Sequence, residues 1–140
     1  MELVKTWNGV KIINDTAATS PESAIKAIQT YPGCILICGG MNKGMDYKEF
    51  VKVLEESVKK VFFLKGDSTD VILSSLRAKR SNLPTQGPYD NFDELLADLK
   101  TVVEPGDIIL LSPAATSFNL FQNEWDRGRK FNLAVQKVFN

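Results

Sequence analysis

Three short runs in this chain contain no polar residue: CILIC at 34–38, VFFL at 61–64 and IILL at 108–111. Runs of that length are too short for a buried helix. An unbroken apolar strand must be covered on both faces, as a central strand of a parallel sheet is. The segments between the runs carry the helical period. In SPESAIKAIQTY, Ser20 is an N-cap, Pro21 suits the first helical position, and Ile25, Ile28 and Tyr31 share a face. Asp46 and Glu49 predict a capping box before a helix with the stripe Tyr47, Phe50, Val51, Leu54 and Val58. DSTDVILSSLRAKR reads as a third helix, and Asn91 with Glu94 caps FDELLADLKTVV. Ser81 to Tyr89, with two prolines and a glycine, reads as a loop. A long helix ends the chain, and Phe121, Trp125 and Phe131 recur there at helical spacing, which predicts core positions. At the other end, Asn8-Gly9 joins the strand-like runs ELVKTW and VKIIND, both residues tolerating the positive φ of a tight hairpin. The expected fold is α/β: a Rossmann-like, mostly parallel sheet flanked by helices, opened by a β-hairpin, in one domain over 1–140.

Composition excludes some partners. With 140 residues, 44% apolar, the chain can bury a proper core. Lys plus Arg and Asp plus Glu number 17 each, so no basic surplus marks a nucleic-acid binder. No apolar run approaches the ~20 residues of a membrane helix. Met1 leads into a charged segment without a secretory pattern, so a cytoplasmic location is expected; a monomer is expected as well. Cys34 and Cys38, four apart on one strand, face the same side too far apart to bridge. Without histidine, a zinc site is not expected.

In an open parallel sheet, ligands bind beyond the carboxyl ends of the strands. The loops there are NDTAATSP, GGMNKGMD, KGDS and SPAATSFN. Each polar residue in them could simply cap a helix. Lys43 lies between glycines that permit close backbone approach, where an ammonium suits a carboxylate or phosphate; taken alone, such a lysine is more often solvated. Asp15 ends a strand and could hold Mg²⁺ or a ribose hydroxyl, and an Asx-turn explains it equally well. The glycines spell neither G-x-x-x-x-G-K-[ST] nor G-x-G-x-x-G.

NGVKIINDTAATSPESAIKAI, GGMNKGMDY and LLSPAATSFNLFQNEWDRGRKF, in that order and spacing, resemble the C-terminal domain of the Mur ligases, in their D-glutamate-adding branch. The resemblance covers essentially the whole chain. It implies a domain of a peptidoglycan-synthesis enzyme in which ATP and Mg²⁺ activate the carboxyl of UDP-N-acetylmuramoyl-L-alanine as an acyl phosphate, which the D-glutamate amine attacks. Carried over by motif, Thr19, Lys43, Ser117 and Phe118 hold D-glutamate, with Ser117 at a helix N-terminus, while Asp15 faces the nucleotide. The three strand-end loops are then expected to converge on a preformed anion site. The resemblance places no catalytic residue here with certainty and no metal ligand. It implies that N-terminal and central ATP-binding domains lie outside these residues, so that the isolated domain binds no cofactor and turns nothing over. The chain departs from the pattern at Ala17, where many members have a lysine, and at Glu124, where many have a phenylalanine. A binding module that kept the fold without the chemistry is the alternative reading, and a nucleotide-binding Rossmann domain a weaker third.

Overall fold

The structure, a computed structural model, describes residues 1–140. Its elements are β1 (Glu2–Trp7), β2 (Val10–Asn14), α1 (Pro21–Thr30), β3 (Cys34–Cys38), α2 (Lys48–Ser57), β4 (Val58–Leu64), α3 (Asp67–Ala78), β5 (Thr85–Tyr89), α4 (Phe92–Lys100), β6 (Ile108–Leu111) and α5 (Glu124–Val138). One six-stranded sheet has the order β1-β2-β6-β3-β4-β5. Only β1 runs antiparallel, and it turns into β2 through Asn8 (φ 48°) and Gly9 (φ 81°), the two positive values a tight primed turn requires.

The unbroken apolar runs are the inner strands, and their alternation splits the core. Cys34, Leu36 and Cys38 of β3 join α1, α2 and α3 on one face; Ile35 and Ile37 join α4 and α5 on the other. Leu110 faces the first layer and Ile109 and Leu111 the second. The two thiols thus share a side as the spacing predicts, and burial pushes the Cys34 thiol up to about 12. The two predicted caps are present, Ser20 and Asn91 accepting from the amides of Ser23 and Glu94, and an unpredicted third, Asn123, accepts from that of Asp126. Inserting β6 between β2 and β3 brings the ends of those three strands side by side, with α1 and α4 crossing on opposite faces; this is the crevice where an open sheet takes ligands.

Four local expectations fail. Thr85–Tyr89, read as loop, is β5 and pairs in parallel with β4; a proline is tolerated because the strand is at the edge. There is no capping box on α2: the cap is Tyr47 and Asp46 instead accepts from the Lys48 amide at 2.9 Å. Val58 begins β4 rather than closing the α2 stripe. Trp125 is 78% exposed, whereas Phe131 is fully buried, because α5 starts only at Glu124 and turns residue 125 outward.

Gly128 sets how closely α5 approaches the loop after β2. A Cβ there would stand 2.6 Å from Thr16 Cγ2. Thr16 cannot retreat, since its hydroxyl donates to the Glu124 carbonyl at 2.8 Å and accepts from Arg127 Nε at 3.0 Å. Alanine normally gains ~1 kcal/mol over glycine inside a helix. Here Gly128→Ala should instead lose ~1–3 kcal/mol in urea unfolding from overpacking. Adding Thr16→Ser, which deletes the methyl and keeps the hydroxyl, should recover most of that loss. A neutral or stabilised Gly128→Ala would show that this contact is not tight.

Candidate functional site

The four polar residues of SPAATSFN, which follows β6, are not equivalent. Ser112 Oγ donates to Asp15 Oδ2 at 2.9 Å, tying the end of β6 to the end of β2. Thr116 forms an isolated antiparallel bridge with Met41, through amides at 3.0 and 3.3 Å, tying the same segment to the loop after β3. Asn119 Nδ2 donates to the Lys65 carbonyl at 2.6 Å, beyond β4. Ser117 is 3% exposed, and its hydroxyl is the one buried side-chain polar atom in the protein without a partner. Three of the four are structural ties. The fourth carries an unmet hydrogen-bonding group, which costs about 1–3 kcal/mol when buried.

Beneath these loops lies Arg127, 1% exposed. Its Nε donates to Thr16 Oγ1 at 3.0 Å, Nη1 to the Ala115 carbonyl at 3.0 Å and Nη2 to the Thr16 carbonyl at 2.6 Å. Burial pushes the guanidinium down to about 10, partly offset by Glu124, so it remains charged at neutral pH. Asn14 adds a second clamp, donating to the Gly128 carbonyl at 3.0 Å and to Asn132 Oδ1 at 2.7 Å. Asp126 accepts from the Gln122 amide, which with Lys130 and Arg129 holds its carboxyl below the usual range and fixes the approach to α5. Sequence reasoning passed over Arg127. Its spacing from Phe131 and Val135, four and eight positions on, puts it on the buried face of α5, and that was the available signal.

Lys43 and Phe118 come together, the Lys43 ammonium 5.8 Å from the centre of a ring that is 57% exposed. Ser117 adjoins Phe118 in sequence but is not at a helix N-terminus. Its carbonyl accepts from the Leu120 and Phe121 amides in a separate turn, and α5 begins seven positions later under the Asn123 cap. The macrodipole of α5 therefore cannot be invoked for it. Thr19 is half-buried in the loop after β2, which the Ala114 amide joins by donating to the Ala18 carbonyl at 3.0 Å. The loops converge as the topology demands. An open anion pocket is another matter: five cavities of about 210 to 570 Å³ open on the surface, and none of them is lined by Thr19, Lys43, Ser117 or Phe118.

Asp15 does border open space. With Thr16, Ala17, Trp125, Arg129 and Asn132 it lines a groove of about 520 Å³ along α5. Desolvation raises its carboxyl above the ordinary value, against the opposing Ser112 hydrogen bond and the amino terminus. No group of three acidic, cysteine or histidine residues gathers here or elsewhere as a metal site. Asp15 can accept from a ligand hydroxyl, or supply one ligand to a metal whose other ligands come from elsewhere.

Comparison with known proteins bears on the family and the fold. Residues 1–115 match the model of the Mur ligase glutamate ligase domain. The UDP-N-acetylmuramoylalanine--D-glutamate ligase of Roseiflexus sp. (strain RS-1) is 36% identical over 137 residues, covering 97% of this chain and 29% of that protein. The ligase of the same name from Borreliella afzelii (strain PKo) is 39% identical over 145 residues, covering 99% and 31%. The chain thus spans just under a third of the length of these relatives. Among solved structures, the MurF ligase of Thermotoga maritima in complex with ADP superposes with a TM-score of 0.57 at 22% identity, over 95% of this chain and 30% of that one.

The raised Asp15 has a measurable sign. A carboxyl that holds its proton more tightly when folded favours folding most in acid and loses that contribution as pH rises through the aspartate range. At neutral pH the folded chain therefore bears the full cost of an ionised, partly desolvated Asp15. Asp15→Asn, which keeps an acceptor for Ser112, should raise the melting temperature at pH 7 and leave it unchanged near pH 3, below the ordinary pKa of about 3.9. An equal gain at both pH values would show that the carboxylate charge is not what costs stability.

Proposed function

This chain belongs to the Mur ligase family, and on that premise we propose that it is the amino-acid-binding domain of a ligase that adds D-glutamate to UDP-N-acetylmuramoyl-L-alanine in peptidoglycan synthesis. The observation that carries this reading is the Ser117 hydroxyl, the one buried polar side-chain group left without a partner, next to the Phe118 ring that the Lys43 ammonium overlies. An ammonium and a hydroxyl donor are what a carboxylate needs, and both stand on loops leaving adjacent strands.

In this reading Lys43 neutralises the side-chain carboxylate of D-glutamate. Ser117 and Thr19 donate to it, Phe118 borders it, and the amine is left directed away from these three donors. ATP, with Mg²⁺, supplies the phosphoryl group that converts an unreactive carboxylate into an electrophile. Asp15 suits the ribose side of that nucleotide, accepting from a hydroxyl, and offers at most one carboxylate to the metal. Residues 1–140 act here as one domain of a longer cytoplasmic, monomeric ligase whose ATP-binding parts lie outside them. No helix in this chain is long and apolar enough to cross a membrane.

Because Ser117 Oγ is sealed, binding requires its loop to move, and a small polar ligand gains little to offset that. D-Glutamate titrated into the ¹⁵N-labelled chain should bind at millimolar or weaker Kd, shifting the amides of Lys43, Thr116 and Ser117, with L-glutamate weaker. Lys43→Ala should weaken binding about tenfold or more, while changing unfolding free energy by less than ~0.5 kcal/mol, as exposed-lysine substitutions usually do. Shifts confined to other loops, or a Lys43→Ala chain that melts lower yet binds as before, would sink the assignment.

A further inference from the structure

Three non-glycine residues have positive φ, and of these only Ala114, at 58°, is buried. Asn8 makes the hairpin turn and Arg80 follows the end of α3, both in solvent. Alanine gains nothing locally from left-handed backbone, so the conformation persists only where its surroundings impose it. At Ala114 both peptide groups are held. Its amide donates to the Ala18 carbonyl at 3.0 Å, and its carbonyl accepts from the Tyr47 hydroxyl at 2.7 Å.

Tyr47 is well placed to matter. It is buried in the first core layer, edge-on to the Phe50 ring at 5.9 Å, where phenylalanine would supply the same packing. A buried phenolic oxygen is useful only for the bond it makes. Burial also pushes that hydroxyl up to about 12, so it remains a donor at neutral pH. Tyr47 stands four positions beyond Lys43, and Ala114 three positions before Ser117. The Tyr47–Ala114 bond and the Met41–Thr116 bridge therefore join the same two loops, one on each side of Lys43 in the first loop and both just ahead of Ser117 and Phe118 in the second.

We infer that Tyr47 is a positioning residue: its hydroxyl holds Ala114 in left-handed backbone and so sets Ser117 against Lys43 for binding an amino-acid carboxylate. The inference rests on the D-glutamate reading for the ligand, and on geometry alone for the loop.

The test uses Tyr47→Phe, Ala114→Gly and the double variant of the 140-residue chain, with two readouts. The amide–Hα coupling and carbon shifts of residue 114 report the sign of φ without ligand, and D-glutamate titration reports affinity. Tyr47→Phe should move Ala114 out of the left-handed region and weaken binding about tenfold. Ala114→Gly should bind like the parent. The double variant should recover to within about twofold, because glycine holds positive φ without the steric cost. A Tyr47 that merely fills the core would leave residue 114 unmoved, or would show no rescue by glycine; either result overturns the inference. So would loss of the fold in Tyr47→Phe that Ala114→Gly fails to repair. If the parent chain binds no D-glutamate, the ligand reading falls. The coupling at residue 114 then decides alone, a change upholding Tyr47 as the group that sets the loop and no change rejecting it.

Discussion

The buried guanidinium of Arg127 is the interaction on which the strand-end loops depend. A charge taken out of water without a carboxylate partner is costly, and is tolerated only if its nitrogens find acceptors. Three bonds, to the Thr16 hydroxyl, the Thr16 carbonyl and the Ala115 carbonyl, give each of its three nitrogens an acceptor, and all come from the two loops flanking the crevice. The demand runs both ways. Those loops must keep their shape to satisfy Arg127, and a lysine could not replace it, because one ammonium lacks the planar fork that reaches both carbonyls. Gly128, the next residue, lets α5 come close enough for the fork to reach, and Asn14 locks the same helix from the strand side.

The result is a rigid floor with a more lightly tied rim. Beyond Ala115 the chain is held at separate points, by the Thr116–Met41 bridge and by single bonds from Asn119 to Lys65 and from Gln122 to Asp126. The Ser117 hydroxyl sits among them without a partner, and desolvation raises the Asp15 carboxyl above its ordinary value. Neither feature stabilises the fold. Polar groups that cost stability cluster where a protein binds something, and finding two of them at adjacent strand ends localises the candidate site independently of any likeness to relatives.

Much of the fold could be read from the sequence because burial on both faces and helical periodicity are local signals: CILIC, IILL and the Asn8-Gly9 turn each become what their patterns imply. The failures share a cause. Thr85–Tyr89 is a strand only because β4 offers its edge, and Trp125 is exposed only because the terminal helix starts later than its aromatic spacing suggests. Both are decided by tertiary context that no window of sequence contains. The candidate site was legible as a set of loops and not as a geometry. Lys43 and Phe118 do meet, whereas the helix expected to start beside Ser117 does not, and Arg127, Tyr47 and Thr16, which hold the loops in place, were hidden among ordinary helix and loop residues.

The sealed Ser117 hydroxyl constrains how such a site can work. With its oxygen out of reach of solvent, Ser117 cannot donate to a ligand in the described conformation, so the proposed site needs a second one. A ligand that favours another conformation is weakened by the fraction of time that conformation is populated. D-Glutamate alone makes too few contacts to carry that cost, so anything that opened the rim in advance, such as a second substrate or a neighbouring domain bearing on residues 117–121, would strengthen its binding without touching it. Opening stops at Ala115, because moving that carbonyl would strand one donor of a buried cation. In the proposed ligase, the segment between Thr116 and Gln122 is therefore where amino-acid binding and closure of the enzyme are coupled.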